Sequence, residues 1–165
     1  LLLTLSLLLV PLAQSEPPAT DKVELKKIKL TELDDAIAKH KGKFVIIDFW
    51  ADYCVPCKAE FPNLVRLHRD HAKDGLVCMS VTVDLPEDAP KALKFLESKK
   101  ATFENYIIDE KKQGETHEKW GFGAVPAVMI FGKDGKIAKK FTNDDPCNQF
   151  DYKDVDKYLA PLLKP

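Results

Sequence analysis

The 165-residue sequence predicts an α/β fold with a central mixed sheet and helices on both faces. Three observations predict it. Phe44–Trp50 and Leu76–Val83 are runs of strand-forming residues without polar alternation, as expected of strands covered on both sides. Segments with helical apolar spacing separate and follow them, which parallel crossovers require. Finally, Ala127–Phe131 and Lys136–Phe141 flank Gly132-Lys133-Asp134-Gly135, a hairpin signal that adds an antiparallel strand.

In chain order, Leu1–Leu12 is an apolar run interrupted only by Thr4, Ser6 and Pro11, and Ala13, Ser15 and Ala19 then supply small residues. Residues 1–19 read as the apolar and cleavage regions of a secretory signal peptide, or a remnant of one. The run is shorter than the roughly 20 residues a spanning helix needs. No initiating Met or basic stretch precedes it, as in a signal that has lost its start. Ser15–Asp21 reads as a flexible proline-rich leader across that boundary, and residues 20–165 read as one domain. Thr31 is placed to cap a helix running to His40, with Leu33, Ala36 and Ile37 on its apolar face and Lys41-Gly42-Lys43 closing it. After the first strand, Cys57–Lys73 is helical by the spacing of Phe61, Leu64, Val65 and Leu67, and Gly75 ends it. Ala89–Lys99 is a further helix, Phe103–Ile108 a short strand near a sheet edge, and Glu115–Trp120 a turn or two of helix. The hairpin follows, and Tyr152–Leu162 is the last helix. The pair Lys111-Lys112 reads as solvated surface.

With 25 basic and 26 acidic residues the formal net charge is -1, so nothing in the charge balance calls for nucleic acid or an anionic surface as partner. An apolar fraction of 45% and an aromatic fraction of 9% are ordinary for a folded domain.

Cys54-Val55-Pro56-Cys57 stands between a buried strand and an amphipathic helix. A structural zinc would need two more ligands, and no second close cysteine pair exists; Cys78, Cys147, His68 and His71 are all poorly placed. A static disulfide across one helical turn would close too short a loop to stabilise much. A redox pair explains the placement. Unpaired N–H groups at a helix start favour a thiolate on Cys54, and Cys57, one turn on, is within reach of a mixed disulfide. Cys54 is then the exposed attacking thiol and Cys57 the shielded resolving one. Pro56 stiffens the first turn. Asp48, in an apolar strand, should have its pKa raised by desolvation, which suits it to exchange a proton with Cys57, although a buried hydrogen-bond acceptor would look the same.

Phe49-Trp50-Ala51-Asp52-Tyr53-Cys54-Val55-Pro56-Cys57-Lys58 resembles the active-site segment of the thioredoxin superfamily, and Val125-Pro126 resembles its cis-proline loop. Glu60 and Pro62 are similar to those of exported thioredoxin-like proteins related to cytochrome c maturation reductases. Two positions depart from the pattern: Tyr53 replaces the usual Trp, and Val55 the usual Gly.

The resemblance implies a three-layer thioredoxin-like fold and a thiol–disulfide oxidoreductase that needs neither metal nor organic cofactor. It also implies Cys54 and Cys57 as the redox pair, with Asp48 and Glu60 as proton-handling acids. Glu60 reads equally as a first-turn acid satisfying the helix dipole. Tyr53, Val55, Pro56, Val125 and Pro126 become the substrate-contacting residues, Pro126 in cis beside Cys54; the other reading of Pro126 is a plain strand-start proline. Trp50 reads as packing beneath the motif. Lys58 either favours the thiolate or is simply surface.

The partners implied are protein substrates with disulfides or dithiols and a second thiol–disulfide protein that regenerates the pair. The implied location is the periplasm or the extracellular space, with a membrane tether if the leader is uncleaved. Reduction is the expected direction; a thiol oxidase or disulfide isomerase of the same fold, or a non-catalytic binding module, are the alternatives. Copper or haem handling is disfavoured, since no methionine or histidine flanks the cysteines. Cys78 reads as a core residue. Cys147 reads as an exposed free thiol on a monomer or an interchain contact, and no bond between the two is expected, because other strands of such a sheet would separate them.

Overall fold

The computed structural model describes residues 22–110 and 114–163. The signal reading of residues 1–19, the leader through Asp21 and the Lys111-Lys112 pair lie outside the described residues. The strands are β1 (Lys26–Ile28), β2 (Phe44–Trp50), β3 (Leu76–Thr82), β4 (Glu104–Ile108), β5 (Ala127–Phe131) and β6 (Ile137–Thr142). The helices are α1 (Leu30–Ala38), α2 (Val55–His71), α3 (Ala89–Lys99), α4 (Gly114–Trp120) and α5 (Tyr152–Leu159).

The strands form one sheet in the order β1-β4-β3-β2-β5-β6. The first four run parallel, and the hairpin adds β5 antiparallel to β2 and β6 antiparallel to β5. The mixed sheet predicted from the apolar runs and the hairpin is thus observed. Strand β2 is buried from Val45 onward because both faces are covered. On one face Trp50 packs against Phe61 of α2 and Phe95 of α3, and Arg66 of α2 grips Asp156 of α5 through both carboxylate oxygens at 2.6 and 2.8 Å. On the other, Phe49 meets Trp120 of α4, and Lys119 of α4 bonds the Leu30 carbonyl of α1.

Most boundaries differ from the sequence reading by one or two residues, and four differences have a physical reason. β1 was not anticipated: Lys26-Lys27-Ile28 buries only Ile28, and its pairing with Tyr106–Ile108 is what makes it a strand. It forms the edge itself, and β4 lies one strand in, near the edge as the sequence reading expects. Helix α1 starts one residue before Thr31, with Lys29 as its cap, because the Glu32 carboxylate accepts the Lys29 N–H at 2.8 Å and the Glu110 carboxylate accepts the Leu30 N–H at 2.8 Å. Helix α2 begins at Val55 rather than Cys57, and Cys54 is its N-cap. Helix α5 stops at Leu159, three residues early: Ala160 still has helical dihedrals, but Pro161 has no N–H to continue the hydrogen-bond ladder.

Candidate active site

The Cys54-x-x-Cys57 turn lies where β2 ends and α2 begins, beside the point at which the sheet order turns from β3 to β5. Open α/β sheets place their ligand sites at such C-terminal strand ends. The two cysteines are joined, with Cα atoms 5.3 Å apart. Cys54 Sγ accepts the Cys57 N–H at 3.2 Å, one of the helix-start amides that no carbonyl can satisfy. The same sulfur is 3.7 Å from the Val125 carbonyl oxygen. The Val125–Pro126 peptide is cis, and it meets the cysteine turn from the start of β5.

The expectation of an exposed Cys54 needs correction. Its exposure is 7% against 2% for Cys57, so both are buried. The sulfur is turned onto Cys57 and the Val125 carbonyl, and the surface around it belongs to Tyr53 and Val55, 70% and 78% exposed. Access is through a groove of about 500 Å³ lined by Tyr53, Cys54, Val55 and Pro56 on one side and Gly123, Ala124 and Val125 on the other, with His117 of α4 beside them. The turn and the loop facing it are braced by residues that sequence spacing did not single out. Asp84 accepts the Asp52 N–H at 2.8 Å, and the Asp144 carboxylate accepts the Gly123 and Ala124 N–H groups at 2.7 and 3.3 Å. Lys58 is spent on Asp52, with its Nζ 2.7 Å from the carboxylate, so its charge is already paired and is not held for a Cys54 thiolate.

Beneath the turn, Asp48 is 2% exposed. Its Oδ2 accepts the Tyr152 hydroxyl at 2.6 Å, whereas Oδ1 is buried with no hydrogen-bond partner among the described residues. Desolvation raises its pKa from 3.8 to about 7; the Tyr152 hydrogen bond opposes the rise and the nearby Glu60 charge adds to it. Glu60 Oε2 accepts from Asn63 Nδ2 at 3.1 Å and from the Tyr152 backbone N–H at 3.4 Å. The two acids picked from the sequence are therefore brought together, and the residue joining them, Tyr152, was missed. Trp50 is fully buried against Phe61 and Phe95, as its packing role requires. Cys78 is a buried free thiol on β3 and Cys147 an exposed one, unbonded to each other. Among the described residues no group of three or more His, Cys, Asp or Glu side chains is placed to hold a metal ion.

A redox-capable cysteine pair at a helix start, on a sheet of this order and facing a cis-proline loop, is a combination that can be compared with known proteins. The family model described as "AhpC/TSA family" matches residues 17–140. The chain belongs to the AhpC/TSA family. Among its relatives, the thiol-disulfide oxidoreductase ResA of Geobacillus thermodenitrificans is 30% identical over 106 residues, covering 64% of this chain and 58% of that protein. The sporulation thiol-disulfide oxidoreductase A of Bacillus subtilis is 27% identical over 128 residues, 77% of this chain and 74% of that protein. The chain thus spans little more than half the length of the first of these relatives. Its fold matches the crystal structure of the thioredoxin domain of a thiol-disulfide oxidoreductase from Bacteroides vulgatus with a TM-score of 0.64 at 21% identity, covering 77% of this chain and 84% of that one. The thioredoxin-like architecture expected from the motif is therefore the architecture of this AhpC/TSA member.

Proposed function

We propose that this chain is a thiol–disulfide oxidoreductase that reduces protein disulfides, with Cys54 as the attacking sulfur and Cys57 as the resolving one. The observation that carries the reading is Cys54 Sγ capping helix α2 in the groove that Cys54 lines with Val125, with Cys57 bonded to it. In the reduced protein the Cys54 thiolate attacks one sulfur of a client disulfide. The client S–S bond breaks, a Cys54–client disulfide forms, and the other client sulfur leaves as a thiolate. Cys57 then gives its proton to Asp48 and attacks Cys54 Sγ. The Cys54–Cys57 bond forms, the second client thiolate leaves, and two electrons have passed from the protein dithiol to the client. A second thiol–disulfide protein, itself oxidised in the exchange, returns the pair to the dithiol.

The remaining roles follow from surroundings. An acid with a pKa of about 7 is matched to proton exchange near neutral pH, and the charge of Glu60 helps hold it there. Tyr53, Val55 and Pro56 face Ala124 and Val125 across the groove, with Pro126 buried behind Val125, which suits an extended client segment with apolar side chains. The Leu1–Leu12 run supports export, to the periplasm or beyond the cell.

The reduction potential of the Cys54–Cys57 couple, equilibrated against glutathione in a Cys147→Ser background, tests the direction. A value near thioredoxin's, about -270 mV, supports the reductase; one near -120 mV makes the protein an oxidant. Insulin reduction tests the chemistry itself. It should vanish in Cys54→Ser, and Cys57→Ser should accumulate a Cys54–client mixed disulfide; activity surviving in Cys54→Ser removes Cys54 as the nucleophile.

A further inference from the structure

We propose that Tyr152 is a positioning residue for the buried acid: its hydroxyl occupies Oδ2 of Asp48 and leaves Oδ1 as the oxygen that takes the proton from Cys57. This rests on the reading of Asp48 as the proton acceptor of the resolving step.

Four observations carry it. The Tyr152 hydroxyl and Asp48 Oδ2 are 2.6 Å apart, with both residues buried, at 3% and 2% exposure. Asp48 Oδ1 is equally enclosed and has no donor among the described residues, so the carboxylate has one committed oxygen and one uncommitted one. The backbone N–H of Tyr152 reaches Glu60 Oε2 at 3.4 Å, so the first residue of α5 touches both acids, one through its side chain and the other through its main chain. The start of α5 is fixed in turn: Asp151 caps it by accepting the Lys153 N–H at 2.8 Å, and Asp156, one turn on, is held by Arg66 of α2. The ring is therefore anchored from its own helix and from α2.

The phenol remains a donor throughout, because burial and the neighbouring Asp48 charge hold its pKa well above the ordinary value of 10.0. Few other titratable groups share this space. Glu60 faces the pair from α2, and Cys78 faces Tyr152 from β3. In sheet register, Asp48 lies between Val128 of β5, which carries no charge, and Ser80 of β3, whose hydroxyl donates to Asn105. A hydrogen bond to the ionised form favours ionisation. Without the hydroxyl, Asp48 should hold its proton to higher pH, so that below its raised pKa less of it is ionised to accept one from Cys57, although a Phe ring would fill the same space.

The experiment mixes reduced protein, in a Cys147→Ser background, with 5,5′-dithiobis(2-nitrobenzoate) in a stopped flow. Attack by Cys54 releases the first thionitrobenzoate, and attack by Cys57 releases the second. The rate of the second phase is followed against pH in the parent, Tyr152→Phe, Asp48→Asn and the double variant. Tyr152→Phe should move the pH limb of the second phase up by about one unit, slowing it about tenfold below that limb, and leave the first phase in place. Asp48→Asn should abolish the limb, with the double variant matching it. An unmoved limb in Tyr152→Phe, together with a lost limb in Asp48→Asn, overturns the role of Tyr152 and leaves the acid's role standing. A limb that survives in Asp48→Asn overturns both. Should Tyr152→Phe fail to fold, the ¹³Cζ resonance of Tyr152 in the unmutated protein answers instead. It should follow the Asp48 titration, and a resonance indifferent to it refutes the coupling.

Discussion

Replacing Asp48 by Asn should flatten a pH dependence of stability that the native protein carries across the acid range. In the folded protein the Asp48 carboxyl titrates at about 7, against 3.8 for the ordinary group. The sign follows from proton counting. Below 3.8 both states hold the proton, and the buried neutral acid carries no electrostatic penalty. Between 3.8 and about 7 the unfolded chain ionises while the folded one does not, so stability falls as pH rises, and the loss is complete once the folded group has ionised. At about 1.4 kcal/mol per pH unit over that interval, the loss is about 4 kcal/mol. The assay is urea unfolding of the disulfide-bonded protein at pH values from about 4 to about 8, wild type beside Asp48→Asn. Because the two proteins differ at one group, the difference between their curves isolates it from every other titration. The wild type should lose several kcal/mol relative to the variant over this range. Parallel curves would falsify the reasoning, since they would mean that Asp48 ionises in the folded state as easily as in water.

Two further predictions concern the core and the free thiols. Phe61→Ala should destabilise the fold by about 3–5 kcal/mol in the same unfolding assay, because Phe61 is fully buried and its ring meets Trp50, Phe95 and Phe103; a cost under about 1 kcal/mol would mean that this cluster collapses around the gap. In the oxidised native protein, iodoacetamide should label Cys147 readily and Cys78 at least about a thousandfold more slowly, since Cys78 is 2% exposed and burial pushes its thiol pKa up. Mass spectrometry of peptides from timed samples reads both rates, and comparable labelling of the two would contradict the burial of β3.

Much of the fold is legible because the signals are strong where the sheet is most buried. Phe44–Trp50 and Leu76–Thr82 are mostly apolar and buried on both faces, and the turn Gly132–Gly135 announces its hairpin. The weak elements are those made by their neighbours. β1 has one buried side chain and exists through Tyr106–Ile108. The start of α1 is set by two carboxylates, and one of them, Glu110, lies 80 residues away from its partner Leu30. Local spacing carries no trace of such a bond.

The site divides in the same way. Cys54, Cys57 and Val125-Pro126 are local motifs, and the structure brings them together, Cys54 and Val125 lining one groove with Cys57 bonded to Cys54 and Pro126 in cis behind Val125. Tyr152 bonds Asp48 across 104 residues, Asp84 bonds Asp52 across 32, and Asp144 holds Gly123 across 21. Each is a single polar residue of a kind common on surfaces, with no periodicity to mark it.

By itself, then, the sequence determined the kind of chemistry this protein is built for: two sulfurs one helical turn apart at a strand–helix junction, with an acid in the strand before them. These are consequences of spacing along the chain, where three or four residues set which groups meet. Tertiary structure alone decided how strongly that acid holds its proton, which of its oxygens is left uncommitted, and how far Cys54 is covered. Each of these depends on how much water is removed and what replaces it. That is a property of the packed surroundings, supplied here by α2, α5 and the Val125–Pro126 loop together.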